Sequence, residues 1–113
     1  MRIPDDAVIP WEKLTRYLLL PRPRNDKSGF LAQAGFGADN PEKLLRALRE
    51  LAAGGEALED EGNEYGTFLR LDGDLTGPNG RALRVATIWL RWHLDGSVHF
   101  VTLKPGRRDG DEL

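Results

Sequence analysis

The stretch "LRVATIWLRWHLDGSVHFVTL", residues 83–103, decides the fold. Both halves are rich in β-branched and aromatic residues at a period of two, and Asp95-Gly96 between them is a hairpin signal. Read as a two-residue turn, Asp95-Gly96 pairs His93 with Val98, Leu90 with Val101 and Ile88 with Leu103. That register sends Ile88, Leu90, Val101 and Leu103 to the core face, with Trp92 and His99 at its margin. It leaves Thr87, Trp89, Arg91, His93, Phe100, Thr102 and Lys104 on the opposite face.

Upstream, 65–71 reads as another strand, joined to 83–94 through "GPNG" at 77–80. An Asn79-Gly80 turn sets Leu69 and Leu71 against Leu90 and Ile88 on the core face and points Arg70 and Asp72 outward. A four-residue loop would slide this register by two and keep the faces.

Before the strands the apolar period is that of a helix. Residues 10–20, "PWEKLTRYLLL", start with Pro10 in a first turn and place Leu14, Tyr17 and Leu18 on one face, flanked by Lys13 and Arg16. Pro21 and Pro23 end this helix. A short helix over 26–34 follows in "NDKSGFL", capped by Asp26 and stopped by Gly35, with Phe30, Leu31 and Ala34 buried. Lys27 at its start is plainly a surface lysine, or else a phosphate ligand beside a helix N-terminus. "DNPEKLLRALRELAAGG" supplies a third helix: Asn40 as cap, Leu44, Leu45, Leu48 and Leu51 as its apolar stripe, Gly54 as its stop. Residues 54–64 read as an acidic, solvated loop. Helices first and strands second give an α+β fold, with N-terminal helices packed on one face of a three- to four-stranded antiparallel sheet. A fourth strand is expected from the "RIP" or "AVI" segment.

The length of 113 residues suits one domain, here 1–105, with a polar tail at 106–113. Without cysteine there is no disulfide, thiolate metal site or cysteine nucleophile, and two histidines are too few for a histidine-rich metal site. No apolar run approaches a membrane span and the start lacks a secretory pattern, so a cytoplasmic location is expected. The net charge of −2 hides a pattern. Residues 1–36 and 76–113 each carry six basic and four acidic side chains, whereas 37–75 carry four basic and ten acidic ones. The predicted outer sheet face then admits two readings. It is the solvent side of a one-layer sheet, or its cations, hydroxyls and rings meet RNA phosphates and bases.

"EKLTRYLL" (12–19), "DKSGFL" (26–31), "GPNG" (77–80), "VATIW" (85–89) and "VTLKP" (101–105), in this order, resemble a family of small bacterial domains of unknown function. Its members stand beside small antitoxin-like genes or at the ends of larger polymorphic toxins. The family is similar to the barnase–EndoU–colicin–RelE superfamily of metal-independent ribonucleases. The resemblance, which runs from Ile3 to Pro105, implies a toxin of a toxin–antitoxin system acting as an endoribonuclease without cofactor or metal. RNA and a small cognate antitoxin would be its partners. Matching polar positions are Lys13, Tyr17, Lys27, Thr87, Trp89 and Thr102; a tyrosine that relatives carry before Pro105 is Lys104 here.

Set beside the chemistry of metal-free RNA cleavage, Lys27, Thr87, Arg91 and Thr102 are the candidate catalytic residues. Lys27 would hold the phosphate, the threonines would bond its oxygens, and Arg91 would stabilise developing charge. Lys13, Tyr17, Arg70, Trp89 and Lys104 are the candidate RNA-binding residues. For Lys27 to join Thr102, the 21–36 segment must wrap around a sheet edge. The alternative is a non-catalytic adaptor or immunity-like module that docks a basic partner on the acidic 56–64 segment.

Overall fold

The structure is a computed structural model describing residues 1–24 and 26–106. Helix α1 (Trp11–Lys13) runs directly into a π-helical turn (Leu14–Leu18), followed by α2 (Ser28–Ala32) and α3 (Pro41–Gly54). Strands β1 (Leu58–Gly62), β2 (Gly66–Thr76), β3 (Ala82–Trp92) and β4 (Val98–Pro105) complete the α+β fold. They form one antiparallel sheet in the order β1-β2-β3-β4. No helix among the described residues is long and apolar enough to cross a membrane. The polar tail expected at 106–113 lies, beyond Gly106, outside the described residues.

The hairpin loops set which face is the core. The β2–β3 loop has five residues, 77–81, between the paired Thr76 and Ala82, and Gly77 N donates to Arg81 O at 2.9 Å. An odd loop length shifts the register by one residue, which turns every β3 side chain over relative to β2. Leu69 therefore pairs with Trp89 and Leu71 with Thr87. The core face takes Leu69, Leu71, Leu75, Leu83, Val85, Thr87 and Trp89. The expected faces of β3 are reversed: Ile88 and Leu90 lie half-buried on the outer face.

At the other hairpin the turn spans 93–96. Trp92 N donates to Ser97 O at 2.9 Å, and Gly96 takes the left-handed conformation (φ 73°) that a glycine adopts without strain. Trp89 pairs with Phe100 and Leu90 with His99, after which a β-bulge intervenes and Ile88 pairs with Thr102. Val101 is the extra residue. Phe100 and Leu103 both point into the core. His99 and Thr102 consequently share the outer face. Phe100, expected outside, packs edge-on against Trp89 at 5.3 Å between ring centroids.

The fourth strand is not the N-terminal segment but β1, drawn from the acidic stretch expected to be a loop. All five of its residues are exposed, so only its backbone pairing with β2 defines it as a strand. The "AVI" segment contributes one parallel bridge: Val8 N donates to Val98 O and Phe100 N to Val8 O, both at 2.8 Å. On the core side, Leu44 and Leu48 of α3 are fully buried with Ala47 and Ala52, while Leu45 and Leu51 pack at the margin. Asn40 is the N-cap residue of α3, as expected, but its side chain makes no cap bond; it accepts from Gly37 N at 2.7 Å and donates to Gly35 O at 3.0 Å, folding the turn before the helix. The π-turn gives an i→i+5 bond from Leu19 N to Leu14 O at 3.0 Å. This wider winding brings Leu19 into the buried stripe with Leu14 and Leu18 and leaves Tyr17 half exposed.

Candidate functional site

A site forms where the 21–36 segment wraps around the outer edge of β4. Asp26 Oδ1 accepts from Ser28 N at 3.0 Å and from Ser28 Oγ at 2.7 Å, a local turn that opens α2. These bonds to Ser28 hold the exposed Asp26 carboxyl below its ordinary pKa. Lys27 lies inside this turn. Its ammonium crosses the strand edge and donates to Thr102 Oγ1 at 3.0 Å. Thr102 is available there because the bulge at Val101 turns it to the outer face, as bulges beside functional sites often do.

The far end of α2 is held by the β2–β3 hairpin. Asn79 N donates to Ala34 O at 3.3 Å and Asn79 Nδ2 to Gln33 O at 3.1 Å, satisfying carbonyls that the short helix leaves free. Gly77 permits this approach, since a Cβ there would lie 2.0 Å from Ala34 O. Asn79 is thus structural, as expected.

Three further groups surround Lys27. Lys13 projects from α1 and donates to Val101 O at 2.9 Å, meeting a carbonyl at the bulge. Arg22 lies over the Tyr17 ring with Cζ 5.0 Å from the centroid, a cation–π contact on the same side of the molecule. Lys104 sits two residues beyond Thr102 on the same face of β4. Burial pushes the Lys27 amine below the usual lysine pKa, and repulsion from Arg22 and then Lys104 pushes it further. The Asp26 carboxylate lies beside Arg22 at this cluster, and an anion entering on the Lys27 side would relieve the remaining repulsion between Lys27, Arg22 and Lys104.

The outer face continues the site across the sheet. Thr102 stands in register with Ile88 and Arg70, and Lys104 with Ala86 and Asp72. Arg70 Nε donates to Asp72 Oδ1 at 2.9 Å, so this arginine is held flat along β2. Towards the β3–β4 hairpin, Trp92 packs against His99 (5.4 Å between centroids) and Tyr65 (6.4 Å).

Of the residues predicted from sequence, the fold brings Lys13, Tyr17, Lys27, Thr102 and Lys104 together and places Arg70 on the same sheet face. It separates the other three. Thr87 is 0% exposed; its hydroxyl accepts from Trp89 Nε1 at 2.9 Å and donates to Leu71 O at 2.8 Å. Trp89 is 1% exposed. Neither can touch a substrate, and both are corrected to core residues. Arg91 also faces the helix side, at the margin of the sheet, where it pairs with Glu59 at 2.7 Å and donates to Met1 Sδ at 3.0 Å. Arg22 was not anticipated, although its place in a proline-bounded connector just after Tyr17 was the available signal. Among the described residues no three His, Asp or Glu side chains converge as metal ligands.

A chain of the contact-dependent growth inhibition toxin–immunity protein complex from Klebsiella pneumoniae 342 shares the fold with a TM-score of 0.66 at 18% identity, covering 88% of this chain and 100% of that one. At that identity the likeness is one of fold. The sequence places the chain more narrowly: residues 3–107 match the model of the family described as domain of unknown function DUF6883, and the chain belongs to that family. No curated protein matches it.

Proposed function

We propose that this chain is a toxin-type domain that cleaves RNA without a metal, using the cationic site at the β4 edge. The observation that carries the reading is the Lys27–Thr102 contact at 3.0 Å within a cluster that includes Arg22 and Lys104. Such a cluster fits a phosphodiester: the Lys27 ammonium and Thr102 hydroxyl would bond its non-bridging oxygens, with Arg22 and Lys104 holding neighbouring phosphates. Attack of the ribose 2′-oxygen on phosphorus forms the P–O2′ bond and breaks the P–O5′ bond. The 2′ proton goes to solvent and the departing 5′-oxygen gains one. Lys27, Arg22 and Lys104 take up the charge that grows on the phosphoryl oxygens meanwhile. No histidine joins the cluster: His99 contacts Ser97 and Trp92, and His93 belongs to the far hairpin. Without a placed general acid and base the reaction forgoes about 10²–10⁴ in rate, so a slow nuclease fits best.

The fold shared with a chain of a toxin–immunity complex supports a toxin setting with a protein partner. For this chain that partner would be a small acidic antitoxin covering the cationic edge. The test is inducible bacterial expression with RNA integrity followed over time, and the purified protein incubated with RNA in excess chelator. Lys27→Ala and Thr102→Val should fold normally yet lose toxicity and cleavage. Equal toxicity and cleavage in wild type and both variants would reject the site. The second reading, an adaptor or immunity-like module, draws on the exposed acidic β1 edge. It predicts tight binding of a basic protein and no RNA cleavage.

A further inference from the structure

The outer sheet face is polarised across its strands. Its β4 edge carries Lys27, Arg22 and Lys104, and its β1 edge carries Asp60 and Glu61. Between them lies an open cleft of about 420 Å³, floored by Phe68 and Ile88 and walled by Arg70, Asp60 and Glu61. This volume falls within the range of small-molecule sites. Ile88 sits directly between Thr102 and Arg70 in the cross-strand register, so the cleft opens beside the phosphate site. With strands about 4.8 Å apart, its floor is some 5–10 Å from Thr102, comparable to the reach from a nucleotide's phosphate to its base.

We infer that this cleft is the base subsite of the proposed nuclease and takes a nucleobase bearing an exocyclic amino group; the inference rests on the reading of Lys27–Thr102 as a phosphate site. The two ends of a nucleotide match the two edges of the sheet. Its phosphate is anionic and meets the cations of β4. Its base offers N–H donors at the far edge, where carboxylates accept them. Phe68 and Ile88 supply the apolar floor on which a base lies flat. Asp60 shares the outer face of β1 with Leu58, which pairs with Arg70, and so borders the cleft. Asp60 Oδ1 is already bonded by Glu61 N at 2.7 Å, and among the described residues Oδ2 accepts no hydrogen bond, which leaves it to take an amino group. Uracil has no amino group, and its single N3–H donor is flanked by two carbonyl oxygens, which these carboxylates repel. An acidic wall on a nucleic-acid face thereby gains a role: it excludes phosphate from one end and selects the base at that end.

The experiment is amide chemical-shift titration of the intact protein with inorganic phosphate and with each of the four 3′-nucleoside monophosphates, which cannot be cleaved. Phosphate alone should shift residues around Lys27 and Thr102. The guanosine, adenosine and cytidine nucleotides should also shift Asp60, Phe68 and Ile88, and bind at least about fivefold tighter than the uridine nucleotide. The double variant Asp60→Asn with Glu61→Gln should lose that preference while binding inorganic phosphate as before. Shifts at Lys27 and Thr102 with no base preference overturn the base subsite and leave the phosphate site standing. Absence of shifts with all five ligands overturns both. Perturbation of Trp92 and Tyr65 in place of Phe68 and Ile88 moves the base to the hairpin end and overturns the cleft assignment.

Discussion

Replacing Thr87 by valine separates a core role from a catalytic one more sharply than any other single change. The two side chains have nearly the same shape, so the substitution removes only the hydroxyl. In the fold that hydroxyl is fully buried and links Trp89 Nε1 to Leu71 O through bonds of 2.9 and 2.8 Å. Its loss strands a buried indole N–H, at about 1–3 kcal/mol, and removes a second bond worth about 1 kcal/mol. The sum, about 2–4 kcal/mol, is a large part of the stability of a domain this size and lowers Tm by about 10–20 °C. Ile88→Ala is the control on the opposite face. The outer face leaves its methyl groups no closed cavity, so the cost should stay near 1 kcal/mol, well below that of a core isoleucine. Urea unfolding followed by circular dichroism gives both values, and RNA cleavage per folded molecule gives the functional comparison. Thr87→Val should be clearly the less stable of the two and cleave normally once corrected for the folded fraction. If Ile88→Ala costs as much as Thr87→Val, the assignment of faces is wrong. If Thr87→Val is as stable as wild type but inactive, the hydroxyl points at substrate and not at Trp89.

Lys27 carries a pKa below its unfolded value of 10.5, so in the window between the two the unfolded chain binds more protons and stability rises with pH. The destabilisation is therefore fully present below the folded pKa and is relieved as pH climbs through that window; Lys27→Met should flatten this rise in unfolding curves taken at successive pH values. Gly77→Ala should destabilise by about 1–3 kcal/mol or more, because its Cβ would lie 2.0 Å from Ala34 O, and should reduce cleavage by shifting the α2 segment that presents Lys27. Gly29→Ala, with nothing within 4 Å of the added methyl, should stabilise α2 by up to about 1 kcal/mol and leave cleavage intact, both measured by the same denaturation and cleavage assays.

How far the sequence carries the fold depends on loop parity. "GPNG" and "DG" locate both hairpins, and the helix-then-strand order gives the fold class. Neither signal states whether a loop has an even or odd number of residues. Loop 77–81 has five, and that alone exchanged the faces of β3. The aliphatic look of Ile88 and Leu90 reinforced the wrong choice. A local cue pointed the other way: Thr87 and Trp89 share a face, and a buried indole needs an acceptor that a threonine two residues away can supply. The bulge at Val101 has no glycine to announce it, so the alternation through Phe100, Thr102 and Lys104 suggested one face for all three. Thr102 and Lys104 were placed correctly, and Phe100 was not.

The same bulge explains why the candidate site sits where it does. In a regular strand, Phe100 and Thr102 would share a face, and Thr102 would be buried with Trp89. One extra residue frees the hydroxyl for Lys27 while Leu103 still fills the core. The edge of β4 would otherwise expose unpaired backbone, a hazard for aggregation. It is instead occupied by Val8, by Lys13 on the Val101 carbonyl and by Lys27 crossing to Thr102. The groups that protect this edge are the groups that gather its positive charge. Burial first, and then the nearness of Arg22 and Lys104, disfavours the charged Lys27 amine in the folded chain, as its depressed pKa records. Cations gathered on a bulged edge strand are what the proposed anion site would use, and the same contacts of Lys13 and Lys27 also close that edge.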